Sequence, residues 1–213
     1  NGWAEYDNLW EEYLEKRKKE KKKGSVQKDL VELILLRKFI AMQAIPQTIE
    51  MADDAIEMDK KVIIFTTFKD ELEELQNYYG KKGVVHNGSM TDKEKQHSVD
   101  SFQNDPNIKV FIGNIISAGV GITLTAADTE IFNSFDWVPG NNEQAEDRAF
   151  RIGQKNNVTV YYQLFESTIS TRMWNTLRNK REIIDTILET KKLNNEEIIE
   201  FLTEKMFEDG NDL

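Results

Sequence analysis

The chain has 213 residues, of which 39% are hydrophobic and 31% are charged, and its formal net charge is −10. This composition supplies one sizeable core, and the longest apolar runs are far shorter than the roughly 20 residues that a membrane-spanning helix needs. The chain has no cysteine and only two histidines, His86 and His97, which excludes disulfides and thiolate chemistry, disfavours a histidine-rich metal site and fits an intracellular protein.

The N-terminal part of the chain has helical periodicity. Aromatic and aliphatic residues recur at helical spacing over residues 3–23 and again over 26–43. Pro46 suits the first turn of a third helix that ends near residue 59. We therefore predict a helical protrusion with connecting helices over residues 1–57.

From residue 61 onward, short apolar runs alternate with helical patterns. The predicted strands cover 62–68, 83–89, 109–114, 129–135 and 158–165, and the predicted helices cover 69–79, 91–105, 141–153 and 170–189. Nearly continuous apolar strands between helices indicate an α/β domain, here 58–190, whose parallel sheet has helices on both faces. Ligands of such sheets bind beyond the carboxyl ends of the strands, so the loops that follow the strands are the candidate site.

Two segments have unbalanced charge. Residues 16–23 contain seven basic residues and one acidic residue, and the predicted helical tail, 191–213, is acidic. The basic run is either a solvated helix end or a contact to a DNA backbone, and a DNA contact would weaken as salt rises. The tail is either a plain soluble helix or an autoinhibitory mimic of DNA.

The stretch "QAEDRAFRIGQ", residues 144–154, places Gln144, Arg148 and Arg151 at positions i, i+4 and i+7. On the predicted helix they share one face, at the ligand edge of the sheet. Two guanidiniums in that place suit an anion such as a phosphate. The alternative is a ladder of surface salt bridges with Glu143 and Asp147, of which each pair contributes only about 0–1 kcal/mol.

Other loops carry weaker signals. Gly119 and Gly121 leave the backbone bare after the third strand, for a phosphate or a nucleic-acid backbone or simply for a turn. Asn141 and Gln144 fit a capping box, which competes with a ligand role for Gln144. His86 is typical of a packed histidine rather than a catalyst.

Two sequence motifs are absent. The chain has no G-x-x-x-x-G-K-[ST] loop to cradle the phosphates of ATP. Its acidic pair, Asp70 and Glu71, lies on a predicted helix rather than directly at a strand end, where a magnesium-binding pair would begin. The chain thus offers arginines for an anion without a loop that holds a nucleotide.

This order of segments resembles the second, C-terminal RecA-like lobe of Snf2-type superfamily 2 helicases. The resemblance covers roughly residues 26–188 and looks closest to small single-subunit members, including the annealing-helicase branch and its microbial and phage relatives. The segments that carry it are "KKVIIFTTFKDELEEL" for motif IV and "VVHNGSMTDKEKQHSVDSFQND" after it, "ISAGVGITLTAAD" for motif V, "FDWVPGNNEQAEDR" for the tryptophan motif and "QAEDRAFRIGQ" for motif VI. The R-x-x-R-I-G-Q ending is the most specific of these.

The resemblance implies a RecA-like three-layer fold with an N-terminal helical protrusion, and it implies a role for each matching residue. Arg148 and Arg151 match the arginine fingers, which would act on ATP and Mg²⁺ held mainly by a first lobe of the same protein. The matches on the nucleotide side are Gln144, Gly119, Gly121 and Thr123. The matches on the DNA side are Thr66, Thr67, Asn87, Gly88 and Lys95. No metal ligand is implied within this chain.

The function that we expect is the C-terminal motor lobe of a DNA-dependent ATPase that translocates on double-stranded DNA. The chain begins at Asn1 rather than at Met, so we expect a fragment, monomeric and inactive alone because it lacks the nucleotide-holding motifs. The expected location is intracellular, cytoplasmic in a prokaryote or phage and nuclear in a eukaryote, with no membrane partner. Three positions depart from the family pattern, which usually has Asn or Asp at Thr123, Asn at Val138 and often His at Phe150.

Two alternative functions stay open. The lobe could be a non-catalytic module that docks DNA or a protein through its helical segment and basic run. More weakly, it could be the nucleotide-binding half of a two-domain glycosyltransferase, although that gives no reason for two arginines before I-G-Q.

Overall fold

The computed structural model describes residues 2–20, 26–118 and 121–179, together with 197, 201 and 203. The predictions for Gly119, for the side chains of the basic run and for almost all of the acidic tail lie outside the described residues. Within those ranges, no helix is both long enough and apolar enough to cross a membrane. The chain divides into two compact units, one formed by Asn1–Ile40 with Leu164–Leu213 and the other by Ala41–Gln163.

Helices and strands alternate after a helical N-terminal part, as predicted. The helices are α1 (Gly2–Glu20), α2 (Val26–Glu57), α3 (Lys69–Tyr79), α4 (Asp92–Asn104), α5 (Ile115–Ala118), α6 (Pro139–Glu146) and α7 (Ile169–Asn179), with a 3₁₀ turn at Gly80–Lys82. The strands are β1 (Val62–Thr66), β2 (Gly83–His86), β3 (Val110–Asn114), β4 (Thr129–Phe132) and β5 (Thr159–Tyr162).

The five strands form one parallel sheet in the order β2-β3-β1-β4-β5. Every residue of the central strand β1 is buried, which is why its sequence is continuously apolar up to Thr66. Thr66 lies beside Asn114 of β3, and Phe65 lies beside Phe132 of β4. This register brings the loops that follow β1, β3 and β4 together at one edge, and the predicted parallel α/β fold is confirmed.

The core of the unit formed by Ala41–Gln163 lies against the sheet. Strand residues Val62, Ile64 and Ile112 are fully buried there and pack with Ile45 of α2 and Leu75 of α3. Fully burying an aliphatic side chain of this size stabilises the fold by about 1.5–3 kcal/mol. The sheet is therefore a rigid base for the loops at its edge.

The second helix differs from the prediction. Instead of ending near residue 43 and restarting at Pro46, α2 is continuous from Val26 to Glu57 with Pro46 inside it. A proline within a helix costs about 3 kcal/mol because it removes one hydrogen bond and crowds the preceding turn. Ala44, Ile45 and Thr48, which flank it, are almost completely buried, and this packing offsets that cost.

In the other unit, aromatic residues of α1 form the packing surface. The rings of Tyr6 and Trp10 stack with centroids 6.3 Å apart, and the guanidinium of Arg172 lies 5.6 Å from the centre of the Trp10 ring. The Tyr6 hydroxyl accepts a hydrogen bond from the Ile169 amide at 2.8 Å, so α1 caps the start of α7. Burial raises the pKa of Tyr6 to about 12. The sequence-based division at residues 57 and 190 stays a prediction.

Candidate functional site

Hydrogen bonds between side chains and backbone tie together the loops at the carboxyl edge of the sheet. Asn114, at the end of β3, donates from Nδ2 to the carbonyl oxygen of Thr67 after β1, at 3.1 Å. The hydroxyl groups of Thr67 and Ser134 lie 2.7 Å apart, which joins the loop after β1 to the loop after β4. Ser117 Oγ lies 3.4 Å from the carbonyl oxygen of His86, the last residue of β2. The edge predicted to bind ligands is therefore braced across four strands.

A buried carboxylate holds the first of these loops. Glu71 is completely buried, and its carboxyl oxygens accept from the amides of Thr67 and Phe68, at 3.3 and 2.8 Å, and from the side chains of Asn133 and Ser134, at 2.6 and 2.8 Å. Burial raises the pKa of Glu71, and these hydrogen bonds oppose the rise. Glu71 thus fixes the start of α3, and the acidic pair lies on a helix, as predicted. The buried partners of Glu71 were not predicted.

The helix predicted over residues 141–153 is wrong beyond Glu146, where α6 ends. Two tertiary hydrogen bonds draw the backbone out of the helix. The carbonyl oxygen of Arg148 accepts from the Leu124 amide at 2.8 Å, and the amide of Ala149 donates to Glu130 Oε1 at 3.3 Å. Arg148 and Arg151 therefore lie in the turns that follow α6, and a shared helix face does not bring them together.

The loop after β3 brings the two arginines together instead. Arg148 donates from Nε to the carbonyl oxygen of Gln144 at 2.5 Å and from Nη1 to that of Ile122 at 3.4 Å. Arg151 donates from Nε to the Asp147 carbonyl oxygen at 3.1 Å and from Nη1 to Thr123 Oγ1 at 3.3 Å. The two guanidiniums thus contact neighbouring residues of one loop.

The two arginines differ in exposure. Arg148 is only 5% exposed, whereas Arg151 is exposed. Burial, followed by the nearby charge of Arg151, lowers the pKa of Arg148. Among the described residues, the hydrogen bonds of both guanidiniums go to neutral oxygens, which orient the positive charges without neutralising them. Such a pair suits an anion that approaches the exposed side.

Gln144 has no part in capping α6. The helix begins at Pro139 with Val138 at the N-cap, so the predicted Asn141–Gln144 capping box is wrong. Asn141 donates instead to Asp136 Oδ1 at 3.0 Å. Gln144 is exposed, and its side-chain amide makes no hydrogen bond within the described part of the chain. The capping role therefore no longer competes for Gln144, while its ligand role stays a prediction.

Gly121, in the loop after β3, has the left-handed backbone conformation that favours glycine. Its φ is +71°, which disfavours any residue with a side chain, and no atom of the described residues lies within 4 Å of the position of a Cβ. Its backbone is thus open to a close approach. Thr123, two residues on, is half-buried and accepts from Arg151, while Gly119 lies outside the described residues.

The candidates for DNA contact occupy the loops after β1 and β2 and helix α4. Thr66 is buried, with its hydroxyl 3.5 Å from the Gly113 carbonyl oxygen, whereas Thr67 is half-buried beside Ser134. Asn87 Oδ1 accepts from the Ser89 amide at 3.0 Å, which leaves Gly88 exposed at the tip of the turn. Lys95 is half-buried on α4, and no side-chain hydrogen bond among the described residues joins it to the other four.

His86 is a packed histidine, as predicted. It is buried, and its Nε2 lies 3.3 Å from the Ser117 carbonyl oxygen. Burial lowers its pKa, so the neutral form is favoured.

Sequence reasoning missed two residues that shape the arginine segment. Gln154 donates from Nε2 to the Ala127 carbonyl oxygen at 2.6 Å and accepts from the amides of Lys155 and Asn156. The second residue is Glu130, which lies within strand β4 and is completely buried. A glutamate inside an apolar strand is itself a signal, because unpaired acidic residues are almost never fully buried.

Comparison with known proteins identifies the family. The helicase conserved C-terminal domain family matches residues 42–153, just over half of the chain, and this range contains the sheet edge and both arginines. The chain belongs to this family. This helicase C-terminal domain is of the Snf2 type, as its relatives and structural neighbours show.

Two curated relatives are 41% and 37% identical to this helicase C-terminal domain. The DNA annealing helicase and endonuclease ZRANB3 of Homo sapiens matches over 105 residues, 49% of this chain and 10% of that protein. The chromatin-remodeling ATPase INO80 of Mycosarcoma maydis matches over 134 residues, 62% of this chain and 7% of that protein. The domain thus spans a tenth or less of the length of these two relatives.

A solved structure gives the same result. The Sulfolobus solfataricus SWI2/SNF2 ATPase core in complex with dsDNA has a TM-score of 0.69 and 25% identity, over 96% of this chain and 46% of that one. The predicted RecA-like fold of this helicase C-terminal domain is confirmed.

Proposed function

We propose that this chain is the C-terminal motor lobe of a DNA-dependent ATPase that translocates on double-stranded DNA. In this proposal, Arg148 and Arg151 act on ATP that a separate first lobe of the same protein holds. The observation that carries it is the anchoring of both guanidiniums to residues 122 and 123 at the ligand edge of the sheet. The absence of a phosphate-cradling loop from the sequence explains why a second lobe is needed.

The residues at this edge fit the phosphates of ATP. Arg151 is exposed, and its guanidinium has N–H donors besides the one that contacts Thr123. Arg148 contributes a second charge that repels the first, and a phosphate oxygen between them would relieve that repulsion. Arg148 contacts the backbone of Gln144 and of Ile122, the residue after Gly121, so Gln144 and the open backbone at Gly121 would complete the nucleotide side.

The chemistry expected of the arginines is charge stabilisation. Bound ATP supplies a γ-phosphoryl group on which negative charge is redistributed during transfer, and fixed guanidiniums stabilise that charge. The carbonyl oxygens of Gln144 and Ile122 hold Arg148 in place in advance, so little reorganisation is needed. Mg²⁺ would arrive with ATP on the first lobe, because no group of three or more metal-binding side chains lies among the described residues.

The DNA side of the lobe is proposed to be the loops after β1 and β2. Gly88 at its exposed turn and the half-buried Thr67 and Lys95 are placed to meet a phosphate backbone, and Thr66 would act through its backbone because its side chain is buried. The similarity to an ATPase core solved with dsDNA supports this assignment. The chain would act as a monomer inside the cell, and the relatives named for chromatin favour the nuclear option.

The first experiment measures ATP hydrolysis with and without the first lobe. The purified chain alone should hydrolyse no ATP, whereas a polypeptide that joins it to the first lobe should hydrolyse ATP at a rate that rises when duplex DNA is added. Hydrolysis by the chain alone would contradict the proposal. DNA binding by the joined protein without any hydrolysis would favour the docking-module alternative.

A further inference from the structure

Glu130 is a buried acid directly behind the arginine segment. Its side chain extends from β4 and is 0% exposed. Oε1 accepts from the amide of Ala149, which lies between the two arginines, at 3.3 Å. Oε2 has no hydrogen-bond partner among the described residues. This carboxyl group therefore contacts the turn that places the arginines, yet no ion pair holds it within the described ranges.

The charges around Glu130 disfavour its ionised form. The charges of Glu146 and Asp147 act against ionisation, whereas the hydrogen bond from the Ala149 amide and the charge of Arg148 act in favour of it. Tyr162 also lies close, and its hydroxyl donates to Glu146. The Arg148 guanidinium directs its hydrogen bonds to the carbonyl oxygens of Gln144 and Ile122 rather than to Glu130.

Burial makes the largest contribution to the raised pKa of Glu130. Placing an ionised carboxylate in the protein interior without a hydrogen-bonded ion pair is very unfavourable, and the group stays protonated instead. Burial raises the pKa of Glu130 from its ordinary value of 4.5 to about 9. At neutral pH Glu130 is therefore a neutral acid.

The neutral form has two consequences for Arg148. The carbonyl oxygen of the neutral Glu130 carboxyl group still accepts from the Ala149 amide, which helps to end α6 and to form the turn. The neutral form of Glu130 also leaves the positive charge of Arg148 uncancelled. An ionised carboxylate in the same place would attract the Arg148 guanidinium and partly cancel its charge.

We infer that Glu130 is a positioning residue whose neutral carboxyl group fixes the arginine turn and keeps the charge of Arg148 available for an anionic ligand. The identity of that ligand as ATP rests on the proposed function. The protonation state and the contact to Ala149 do not depend on it.

The first test uses the chain alone. Carbon-13 NMR of the Glu130 carboxyl group, assigned with Glu130→Gln, should show a group that is neutral at about pH 7 and titrates in the alkaline range, with the Ala149 amide shift following the same curve. Titration near the ordinary pKa of 4.5 would overturn the inference, whatever the ATPase assay gives.

The second test uses the protein that joins this lobe to the first lobe. Glu130→Gln preserves a neutral acceptor, so at about pH 7 its DNA-stimulated rate should stay within about threefold of the original, and the fall in rate near pH 9 should be lost. Glu130→Leu removes the acceptor and should lower the rate about tenfold to a hundredfold. The control is Glu74→Gln, which removes an exposed carboxylate of α3 and should preserve both the rate and the alkaline fall.

The outcomes separate this inference from the proposed function. Equal rates for Glu130→Leu and the original protein, or an alkaline fall that persists in Glu130→Gln, would overturn the positioning role. If Glu130→Leu does not fold, the NMR titration and the pH profile of Glu130→Gln still decide. If the joined protein shows no ATPase activity at all, the proposed function fails, while the NMR titration still decides the state of Glu130.

Discussion

Replacing Glu71 tests whether its buried hydrogen bonds fix the carboxyl edge of the sheet. Glu71→Ala removes the acceptor of the Phe68 amide, of one side-chain N–H of Asn133 and of the Ser134 hydroxyl. The Thr67 amide still donates to Ser134 Oγ at 2.9 Å. A buried donor left without a partner costs about 1–3 kcal/mol, and three such losses are partly shared because water enters the space. We expect the free energy of unfolding to fall by about 3–5 kcal/mol.

Glu71→Gln separates acceptor geometry from side-chain volume. Both carboxyl oxygens of Glu71 accept hydrogen bonds, so the side-chain NH₂ group of glutamine would face donors and lose at least one bond. The expected loss is about 1–3 kcal/mol. The same substitution at Glu130 should be tolerated, because only one oxygen of Glu130 accepts.

Urea denaturation of the chain, followed by circular dichroism, measures both losses. The matched control is Glu73→Ala on the same helix, where an exposed ion pair with Lys69 at 2.9 Å is screened by water and contributes little to stability. The urea dependence of the unfolding free energy should stay unchanged in all three variants. A loss below about 1 kcal/mol for Glu71→Ala would refute the reasoning that these bonds hold the edge.

Two further predictions concern salt and pH. Lys95→Ala should weaken DNA binding by the joined protein and reduce the slope of log affinity against log salt by about 1. The control, Lys81→Ala, removes an exposed lysine before β2 and should leave the slope unchanged. Equal slopes for the two variants would remove Lys95 from the DNA contact. The raised pKa of Glu130 contributes stability that is complete below about pH 4.5 and is lost as pH rises towards about 9. The chain should therefore lose up to about 1.4 kcal/mol per pH unit in that window relative to Glu130→Gln, measured by urea denaturation at several pH values, and parallel pH curves would contradict the shift.

The strands of the sheet could be predicted because the sequence pattern that each one needs lies within the strand itself. A strand buried on both faces needs a continuous apolar run, and β1, β3 and β4 each have one. The capping box that begins α4 is equally local, since Thr91 and Glu94 are three residues apart and satisfy each other's backbone amides, at 3.3 and 2.8 Å.

The arginine segment shows where sequence reasoning failed. The residues were identified, but the helix that was to align them ends early, because Leu124 and Glu130 capture backbone groups of residues 148 and 149. These partners are 24 and 19 residues away in the sequence, and helical periodicity contains no information about them. The buried network around Glu71 was missed for the same reason, since Asn133 lies 62 residues away.

The central claim is that Arg151 stabilises the charge that develops during phosphoryl transfer and contributes little to the binding of ATP itself. In the protein that joins the two lobes, Arg151→Ala should lower kcat by about 10³–10⁵ while the Kd for ATP changes by less than about threefold. Lys155→Ala, which removes an exposed cation four residues further on, should change neither quantity. An unchanged kcat for Arg151→Ala, or a loss confined to the Kd for ATP, would contradict the account.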